Sequence, residues 1–238
     1  MNSILCTICM RSGSQGVRNK NMKLINGKPL MYYTIKQAIK SKLFDNIVVS
    51  TDSKKILAIA KSYGAEGWFI RPKRLASSTC SKIPVIKHAL QKAEQFYNKN
   101  FKYVIDLDVT SPLRKTEDIT NAYKTFIKNK GNVLISVTRS RKNPYFNMVE
   151  VIKKKVKKVK ITKKKFFRRQ DAPITYDMNA SIYIWNRNGL MNSKSAILEK
   201  NTTNKTVFYE MPGARSIDID SRLDFEIVEF LLKKRKII

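Results

Sequence analysis

Short apolar, β-branched runs alternate with stretches of helical period along most of the chain. The first run is Ser3–Met10 (SILCTICM), and Leu30–Lys42 follows it with Ile35 and Ile39 on one helical face. Asp45–Ser50 (DNIVVS) then returns as a buried strand. These three segments predict one strand–helix–strand unit whose two strands run parallel.

The alternation continues as far as residue 137. We predict, in order, a helix, strand, helix, strand, helix and strand at Ser53–Tyr63, Glu66–Ile70, Ile83–Tyr97, Tyr103–Leu107, Glu117–Asn129 and Val133–Val137. Repeated strands and helices are typical of a mostly parallel sheet that helices cover on both faces. The fold class is therefore predicted to be α/β, with three layers in the order α/β/α.

The alternation stops after Thr138. Residues Arg139–Met178 are basic, contain two prolines and include a hairpin predicted near Val149–Phe167, so we interpret them as an excursion from the sheet. Ser181–Trp185 (SIYIW) resumes the sheet, and Thr206–Met211 adds another strand. The chain is thus predicted to form a single domain, residues 1–238, with residues 139–178 as its appendage.

A final helix is predicted to begin at Ser221. Helical period assigns an apolar set to its inner face: Leu223, Ile227, Val228 and Leu231. These side chains are expected to pack against the sheet.

The net charge is +30, from 48 Lys and Arg against 18 Asp and Glu. Such a charge is compatible with nucleic acid, an anionic membrane surface or phosphate-bearing substrates as partners. The lysines are spread over nearly every predicted element, and the one dense cluster, Lys153–Lys165, contains no aromatic side chain for base stacking. We interpret the charge as a solvated surface, and nucleic-acid binding stays the alternative from a different functional class.

No apolar run approaches the roughly 20 residues that cross a bilayer, and Met1–Met10 lacks a basic flank and a cleavage site. The odd number of cysteines, three, argues for reduced thiols, so we expect a cytoplasmic protein without a membrane partner. Cys6 and Cys9 should lie on opposite faces of one strand, which argues against zinc. His88 is the single histidine and falls in a predicted helix, so we expect neither a histidine-centred triad nor a multi-histidine metal site.

The loop after the first strand, Arg11–Asn21 (RSGSQGVRNKN), lies at the edge of the sheet where ligands bind. Gly13 and Gly16 allow the backbone to approach a ligand, and the loop carries cations, among them Arg18 and Lys20. These features suit a polyphosphate. The loop follows neither the P-loop nor the G-x-G-x-x-G pattern, so an ordinary strand-to-helix turn is the alternative.

Two aspartates near the carboxyl terminus lie two residues apart in Ser216–Asp220 (SIDID). On an extended segment this spacing points Asp218 and Asp220 to one face, where two carboxylates suit Mg²⁺ together with phosphate oxygens and water. The alternative is that Asp220 or Ser221 only caps the final helix.

Asp106 and Asp108 share this spacing at the end of a central strand. One of them could bind a second metal or a sugar hydroxyl, and the alternative is a turn aspartate or a helix cap.

Seven segments in this order resemble the acylneuraminate cytidylyltransferases, or CMP-sialic acid synthetases, and especially the bacterial CMP-legionaminic acid synthetases. They are RSGSQGVRNKN, STDS, RPKRLASST, DLDVTSPLR, RRQDAP, MNASIYIW and SIDIDSRLDF. The resemblance spans nearly the whole chain and implies a Rossmann-like nucleotidyltransferase fold. It also implies a homodimer that uses Mg²⁺ to transfer CMP from CTP to a nine-carbon, sialic-acid-like sugar and releases pyrophosphate.

The resemblance also implies roles for particular residues. Those on its nucleotide-binding loop and near its cytosine and ribose contacts are Arg11, Ser14, Gln15, Gly16, Lys20, Asn21, Arg71, Cys80 and Ser81. Those in segments that shape the sugar pocket are Asp108, Arg169, Gln170 and Asn179. Asp218 and Asp220 match its metal-binding aspartates, and with Arg11 and Lys20 they form the expected catalytic set.

Three positions depart from the pattern of the family. Gln15 stands where a lysine is usual, so triphosphate binding should depend more on Lys20 and Arg11. Ser78 replaces an aspartate. Asp108 stands where sialic-acid enzymes carry glutamine, which favours a legionaminic-type sugar. N-acetylneuraminic acid, pseudaminic acid and the shorter keto-deoxy acid KDO remain alternative acceptors.

Overall fold

A six-stranded sheet lies at the centre of the protein in the computed structural model, which describes residues 3–14, 16–194 and 205–235. The strands are β1 (Ile4–Cys9), β2 (Leu24–Ile25), β3 (Lys28–Pro29), β4 (Asn46–Ser50), β5 (Tyr103–Leu107), β6 (Val133–Arg139), β7 (Val149–Ile152), β8 (Lys155–Lys158), β9 (Tyr176–Asn186) and β10 (Thr206–Glu210). The helices are α1 (Leu30–Ser41), α2 (Lys54–Ser62), α3 (Lys82–Tyr97), α4 (Thr116–Lys128), α5 (Arg187–Asn192) and α6 (Arg222–Arg235).

The strands of the central sheet lie in the order β10-β6-β9-β5-β1-β4. All neighbouring pairs are parallel except those of β9, which runs antiparallel to both β5 and β6. The prediction of a mostly parallel sheet is confirmed. The carboxyl ends of β1, β4 and β5 meet at one edge, and this edge carries the candidate site.

The sheet has a hydrophobic cluster on each face, because successive side chains of a strand point in opposite directions. Ile4, Cys6 and Ile8 of β1 belong to one cluster, and Leu5 belongs to the other. Cys9 packs on the side of Leu5, so Cys6 and Cys9 lie on opposite faces as predicted. Helices α1, α2, α4 and α6 cover the first face, and α3 with α5 covers the second.

The strand predicted at Glu66–Ile70 is wrong. Only Glu66 forms a bridge, with Val48 of the edge strand β4, and the chain then leaves the ladder. The apolar side chains of this segment pack against helix α3 and not within the sheet. The ring of Trp68 stacks on Phe96 of α3 at a centroid distance of 4.0 Å. Aromatic packing, and not strand pairing, accounts for the composition of this segment.

The inner face predicted for the final helix is also partly wrong. Phe225, Val228 and Leu232 are buried, whereas Leu223 and Ile227 are exposed. The helix carries two adjacent apolar stripes, and helical period by itself does not select which stripe packs against the domain.

The excursion contains the predicted hairpin, which is shorter than expected and consists of β7 and β8. Lys153 and Lys154 connect the strands with φ of 50° and 63°, the left-handed pair that a two-residue hairpin turn requires. The central sheet takes in both ends of residues 139–178, since β6 includes Arg139 and β9 begins at Tyr176. None of the described helices has both the length and the apolar character of a membrane span.

Candidate active site

The glycine-rich loop, residues 11–21, leaves β1 at the carboxyl edge of the sheet, and the segment after β4 fixes its start. Ser12 donates two hydrogen bonds to the Asp52 carboxylate, from its backbone N at 2.8 Å and from Oγ at 2.6 Å. Burial alone would raise the pKa of Asp52, but the hydrogen bonds from Ser12 outweigh it and lower this pKa. The ionised carboxylate of Asp52 therefore holds the start of the loop at Ser12.

The two ends of this loop are tied together. Asn21 donates from Nδ2 to the carbonyl of Arg11 at 2.9 Å, and the Arg11 guanidinium donates to the carbonyl of Ser77 at 2.9 Å. Asn19, with φ of 54°, supplies the left-handed turn before the short 3₁₀ segment Lys20–Met22. The bond between Asn21 and Arg11 thus closes the loop, and the Arg11 guanidinium has a defined partner in Ser77.

The loop also contacts the carboxyl-terminal segment. A Cβ placed on Gly16 would lie 1.9 Å from the carbonyl oxygen of Asp220, so only glycine permits this approach. Lys20 Nζ donates to the carbonyl of Ile219 and lies 3.4 Å from Oδ1 of Asp220. Gly16 and Asp220 are far apart in the sequence but are neighbours in space. We call the surface around this contact, as far as Asp108, the cleft.

Asp218 is half-buried in this cleft and its environment is unusual for a carboxylate. Burial, followed by the nearby charges of Asp108 and Asp220, raises the pKa of Asp218 to about 6, although the nearby Thr110 and Lys20 side chains oppose the shift. Its Oδ1 is buried and has no hydrogen-bond partner among the residues that the structure describes. A buried, unsatisfied carboxylate oxygen is costly unless a cation or proton meets it.

Asp220 differs from Asp218 in exposure, with 78% of its side chain accessible. The helix-capping alternative for Asp220 is not what the structure shows. Ser221 Oγ accepts from the backbone N of Asp224 at 3.2 Å, and Asp224 accepts in return from the backbone N of Ser221 at 2.7 Å. Because Ser221 and Asp224 provide the cap, the Asp220 carboxylate is left facing the cleft beside Lys20.

These two aspartates fit a magnesium ion better than a metal held by the protein alone. Within residues 3–14, 16–194 and 205–235, no group of three or more His, Cys, Asp or Glu side chains could hold a metal. Mg²⁺ is commonly bound through one or two carboxylates, with phosphate oxygens and water as the other ligands. The unsatisfied Oδ1 of Asp218 supplies the acceptor that such an ion requires.

Asp106 and Asp108 share one cation, Lys82, at the first position of α3. Lys82 Nζ donates to Oδ2 of Asp108 at 2.6 Å and lies 2.9 Å from Oδ2 of Asp106. Burial alone would raise the pKa of Asp108, but Lys82 and Thr110 together outweigh it, so the pKa of Asp108 is below its usual range. Asp106 is fully buried, whereas Asp108 is partly exposed at the edge, and the sequence reasoning missed the lysine between them.

The other residues expected to bind nucleotide lie around the same edge. Arg71 is buried and donates from Nη2 to the carbonyl of Met10 at 2.8 Å. Ser81 lies at the amino-terminal cap of α3, and the half-buried Cys80 thiol donates to its carbonyl at 3.4 Å. Ser14 belongs to the loop, whereas Gln15 lies outside the described residues.

The residues expected to bind sugar are dispersed. Arg169 and Gln170 line a cavity of about 190 Å³ inside the excursion, where Arg169 donates to the carbonyl of Arg141 at 3.0 Å. Asn179 is buried, accepts from Ser136 Oγ at 2.6 Å and donates to Ser216 Oγ at 3.0 Å. Asn179 therefore bonds to the segment that precedes Asp218, and its side-chain atoms are already engaged.

A buried ion pair positions that same segment and was missed by sequence reasoning. Arg215 donates to the fully buried Asp118 at 2.7 Å from Nη2 and 3.0 Å from Nε. Asp118 also accepts from the backbone N of Lys115, at the start of α4, at 2.8 Å. The sequence signal available was weak: an acidic residue in the first turn of a helix also occurs as an ordinary cap.

Comparisons with known proteins agree on one family. Residues 5–229 match the family described as cytidylyltransferase. The chain is 46% identical over 237 residues to the "Post-translational flagellin modification protein B" of Campylobacter coli and, equally, to the "CMP-N,N'-diacetyllegionaminic acid synthase" of Campylobacter jejuni subsp. jejuni serotype O:2. Each alignment covers 100% of this chain and 98% of the relative.

A solved structure also shares the fold. The structure of a CMP:2-keto-3-deoxy-manno-octonic acid synthetase complexed with CTP aligns with a TM-score of 0.71 and 14% identity, covering 98% of this chain and 99% of the other. At this identity the likeness concerns the fold alone. It confirms the predicted Rossmann-like α/β/α architecture.

Proposed function

The chain belongs to the cytidylyltransferase family, and from this premise we propose that its cleft transfers CMP from CTP to a nonulosonic acid and releases pyrophosphate. We further propose legionaminic acid or its N,N'-diacetyl form as the acceptor, because the relative named for the diacetyl form is 46% identical over 98% of its length. The observation that carries the proposal is the contact of Gly16 and Lys20 with the Ile219–Asp220 backbone. It joins a polyphosphate loop to a pair of carboxylates.

The chain's own cations account for binding of the triphosphate. Arg11 and Lys20 lie at opposite ends of the loop, and each donates a hydrogen bond to a backbone carbonyl outside it, of Ser77 and of Ile219. The positions of the two charges are therefore fixed before a ligand binds. Preorganised charge costs no reorganisation during the reaction, which makes it effective on phosphates. Gln15 contributes no cation, so these two residues carry this role.

The reaction is a displacement at phosphorus, in which the anomeric hydroxyl of the sugar acid attacks the α-phosphorus and pyrophosphate departs in line. In such transfers the protein contributes alignment and charge more than covalent chemistry. Asp218 and Asp220 would hold a magnesium ion, which would supply positive charge to the phosphate oxygens. Lys20 lies beside Asp220 and would limit the repulsion between that carboxylate and the triphosphate.

A coupled assay tests this function. Purified protein is incubated with CTP, Mg²⁺ and, one at a time, N,N'-diacetyllegionaminic, legionaminic, N-acetylneuraminic, pseudaminic and keto-deoxy-octonic acids, and pyrophosphate release is measured. We expect the highest kcat/KM with a legionaminic acid. Release with another acid alone would correct the acceptor, and CTP-dependent release with none of them would contradict the function.

Replacing Gly16 with alanine should damage nucleotide binding. The new Cβ would overlap the carbonyl of Asp220, so the loop or the carboxyl-terminal segment must move. A displacement of this size in a positioning element can cost up to about 100-fold in rate, and we expect at least about a tenfold fall in kcat/KM for CTP. Gly13→Ala is the matched control in the same loop, because a Cβ there has no atom within 4 Å. Equal effects of the two substitutions would contradict the contact.

The exposed hairpin supports a homodimer. Val149, Val151 and Val156 share one face of the hairpin and are 59–69% exposed. A two-stranded hairpin is marginal by itself in water, so an apolar face on one needs a partner surface. We propose that a second copy of this chain covers it.

Light scattering after size-exclusion chromatography tests the dimer. The wild type should have twice the mass of one chain, and Val151→Lys with Val156→Lys should give monomers. Ile152→Lys, on the opposite face of the hairpin, is the control and should remain dimeric. A monomeric wild type would contradict the proposal.

A further inference from the structure

Lys82 occupies a position that needs explanation. It is the first residue of α3, where the partial positive charge of the helix terminus disfavours a cation. The side chain is nevertheless 23% exposed and turned onto two carboxylates, with its ammonium 4.7 Å from the centre of the Tyr183 ring. The two carboxylates, and not the helix terminus, account for the position of this ammonium.

The two carboxylates that Lys82 contacts differ in what they offer. Asp106 is fully buried and already accepts a hydrogen bond from Thr7 Oγ1 at 2.7 Å, so it has no access to a ligand. Asp108 is 23% exposed at the end of β5 and can be reached from the cleft. Lys82 thus bridges the buried carboxylate of Asp106 and the accessible carboxylate of Asp108.

The hydrogen bonds of Asp108 leave one defined acceptor position. Its Oδ1 accepts from the backbone N of Thr110 at 3.3 Å and from Thr110 Oγ1 at 3.1 Å, which uses both of its lone pairs. Among the residues that the structure describes, Oδ2 accepts from Lys82 alone, which leaves one lone pair of that oxygen available. Thr110 and Lys82 hold the two oxygens of the Asp108 carboxylate and so fix its rotation. The remaining lone pair of Oδ2 therefore points in one defined direction.

The order of the strands assigns this acceptor to the second substrate. The polyphosphate loop follows β1 and its partner Asp52 follows β4, whereas Asp108 follows β5, and Tyr183 lies on the next strand, β9. A carboxylate repels phosphates but accepts hydrogen bonds from hydroxyl and amide N–H groups. The half of the cleft above β5 and β9 therefore suits a polyhydroxylated, amide-bearing sugar acid.

We propose that Lys82 is a positioning residue for the sugar acid, which holds Asp108 so that its free Oδ2 lone pair accepts a hydrogen bond from a hydroxyl or amide N–H of that substrate. This inference rests on the proposed function and goes beyond it by naming how the acceptor half of the cleft selects its ligand. An acceptor that lacks a donor at that position would leave the carboxylate unpaired and would bind more weakly.

The test separates the two Michaelis constants. Lys82→Met should raise KM for the sugar acid roughly tenfold or more and leave KM for CTP within about twofold, because a charged hydrogen-bonding group loses its fixed direction. Lys82→Arg, which keeps the charge, should recover part of the loss. Lys87→Met is the matched control on the same helix, since Lys87 Nζ donates to Met191 and Ser193 carbonyls and should affect neither constant.

A second variant guards against loss of the fold, because Lys82→Met leaves the buried Asp106 charge without its cation. The double substitution Lys82→Met with Asp106→Asn removes both charges and should show the same rise in KM for the sugar acid. Unchanged constants, equal rises in both constants, or failure of both variants to fold would each overturn the role of Lys82. A wild type that turns over no sugar acid would instead contradict the proposed function.

Discussion

Replacing Asp218 with asparagine should lower kcat by about two to three orders of magnitude while the protein remains folded. The substitution preserves shape but removes the charge of a half-buried carboxylate whose Oδ1 has no hydrogen-bond partner within the described parts of the chain. Losses of about 100- to 1,000-fold are typical when one preorganised electrostatic group is removed from a transition state. Pyrophosphate release across a magnesium titration measures the effect.

Two further substitutions sharpen this result. Asp220→Asn should cost less, because that side chain is 78% exposed and water screens its charge. Glu226→Gln, on the surface of α6, should leave kcat unchanged and is the control. Turnover of Asp218→Asn near that of the wild type at saturating Mg²⁺ would remove the basis of the metal assignment.

The raised pKa gives the Asp218 prediction a pH signature. Because the pKa of Asp218 is about 6, mainly from burial, the group is ionised above pH 6 and becomes protonated as the pH falls below it. A protonated carboxyl is a poor metal ligand, so the apparent affinity for Mg²⁺ should fall as the pH drops through about 6. The Asp218→Asn enzyme should lack this step in a magnesium titration repeated between pH 5 and 8.

Replacing Arg215 with alanine should produce the largest loss of stability. Asp118 is fully buried, and breaking a buried pair by removing one partner costs about 3–5 kcal/mol, since the remaining charge is left uncompensated. We expect about 3 kcal/mol, at the low end, because Asp118 keeps hydrogen bonds from Lys115 and Tyr209. Urea unfolding followed by circular dichroism measures the change.

The Arg215 prediction has a matched control and a functional consequence. Arg222→Ala removes another arginine ion pair, with Glu226, but its side chain is 87% exposed and the change in stability should be small. Arg215 lies three residues before Asp218, so Arg215→Ala should also weaken turnover at temperatures where it is still folded. A small stability loss, equal to that of Arg222→Ala, would show that the buried pair is not a main support of this segment.

The order of elements followed from local information. The spacing of apolar residues predicts buried strands such as Tyr103–Leu107 and helices such as Ile83–Tyr97, and that spacing is a property of the sequence alone. The glycines of the loop indicated polyphosphate binding, and the spacing of Asp218 and Asp220 indicated a metal site. Both signals are also local in the sequence. The family resemblance then supplied the activity.

The two wrong predictions of local structure have one physical origin. An apolar composition shows that a segment is buried but does not specify which element it packs against. Glu66–Ile70 reads as a strand, yet its aromatic residues pack on α3, and only the arrangement of α3 beside β4 decides this. In α6 two apolar stripes compete, and contact with the domain buries Phe225 and Val228 instead of Leu223 and Ile227.

The sequence by itself determined the fold class and the residue types available for chemistry, because these depend on composition, period and spacing, and its seven motifs indicated the family by resemblance. Only the tertiary structure decided which distant residues meet: Gly16 with Asp220, Asp118 with Arg215, and Lys82 with Asp106 and Asp108. Each of these contacts joins elements remote in the sequence. The energy of an ion pair depends on separation and burial in space, and neither quantity can be read from positions along a chain.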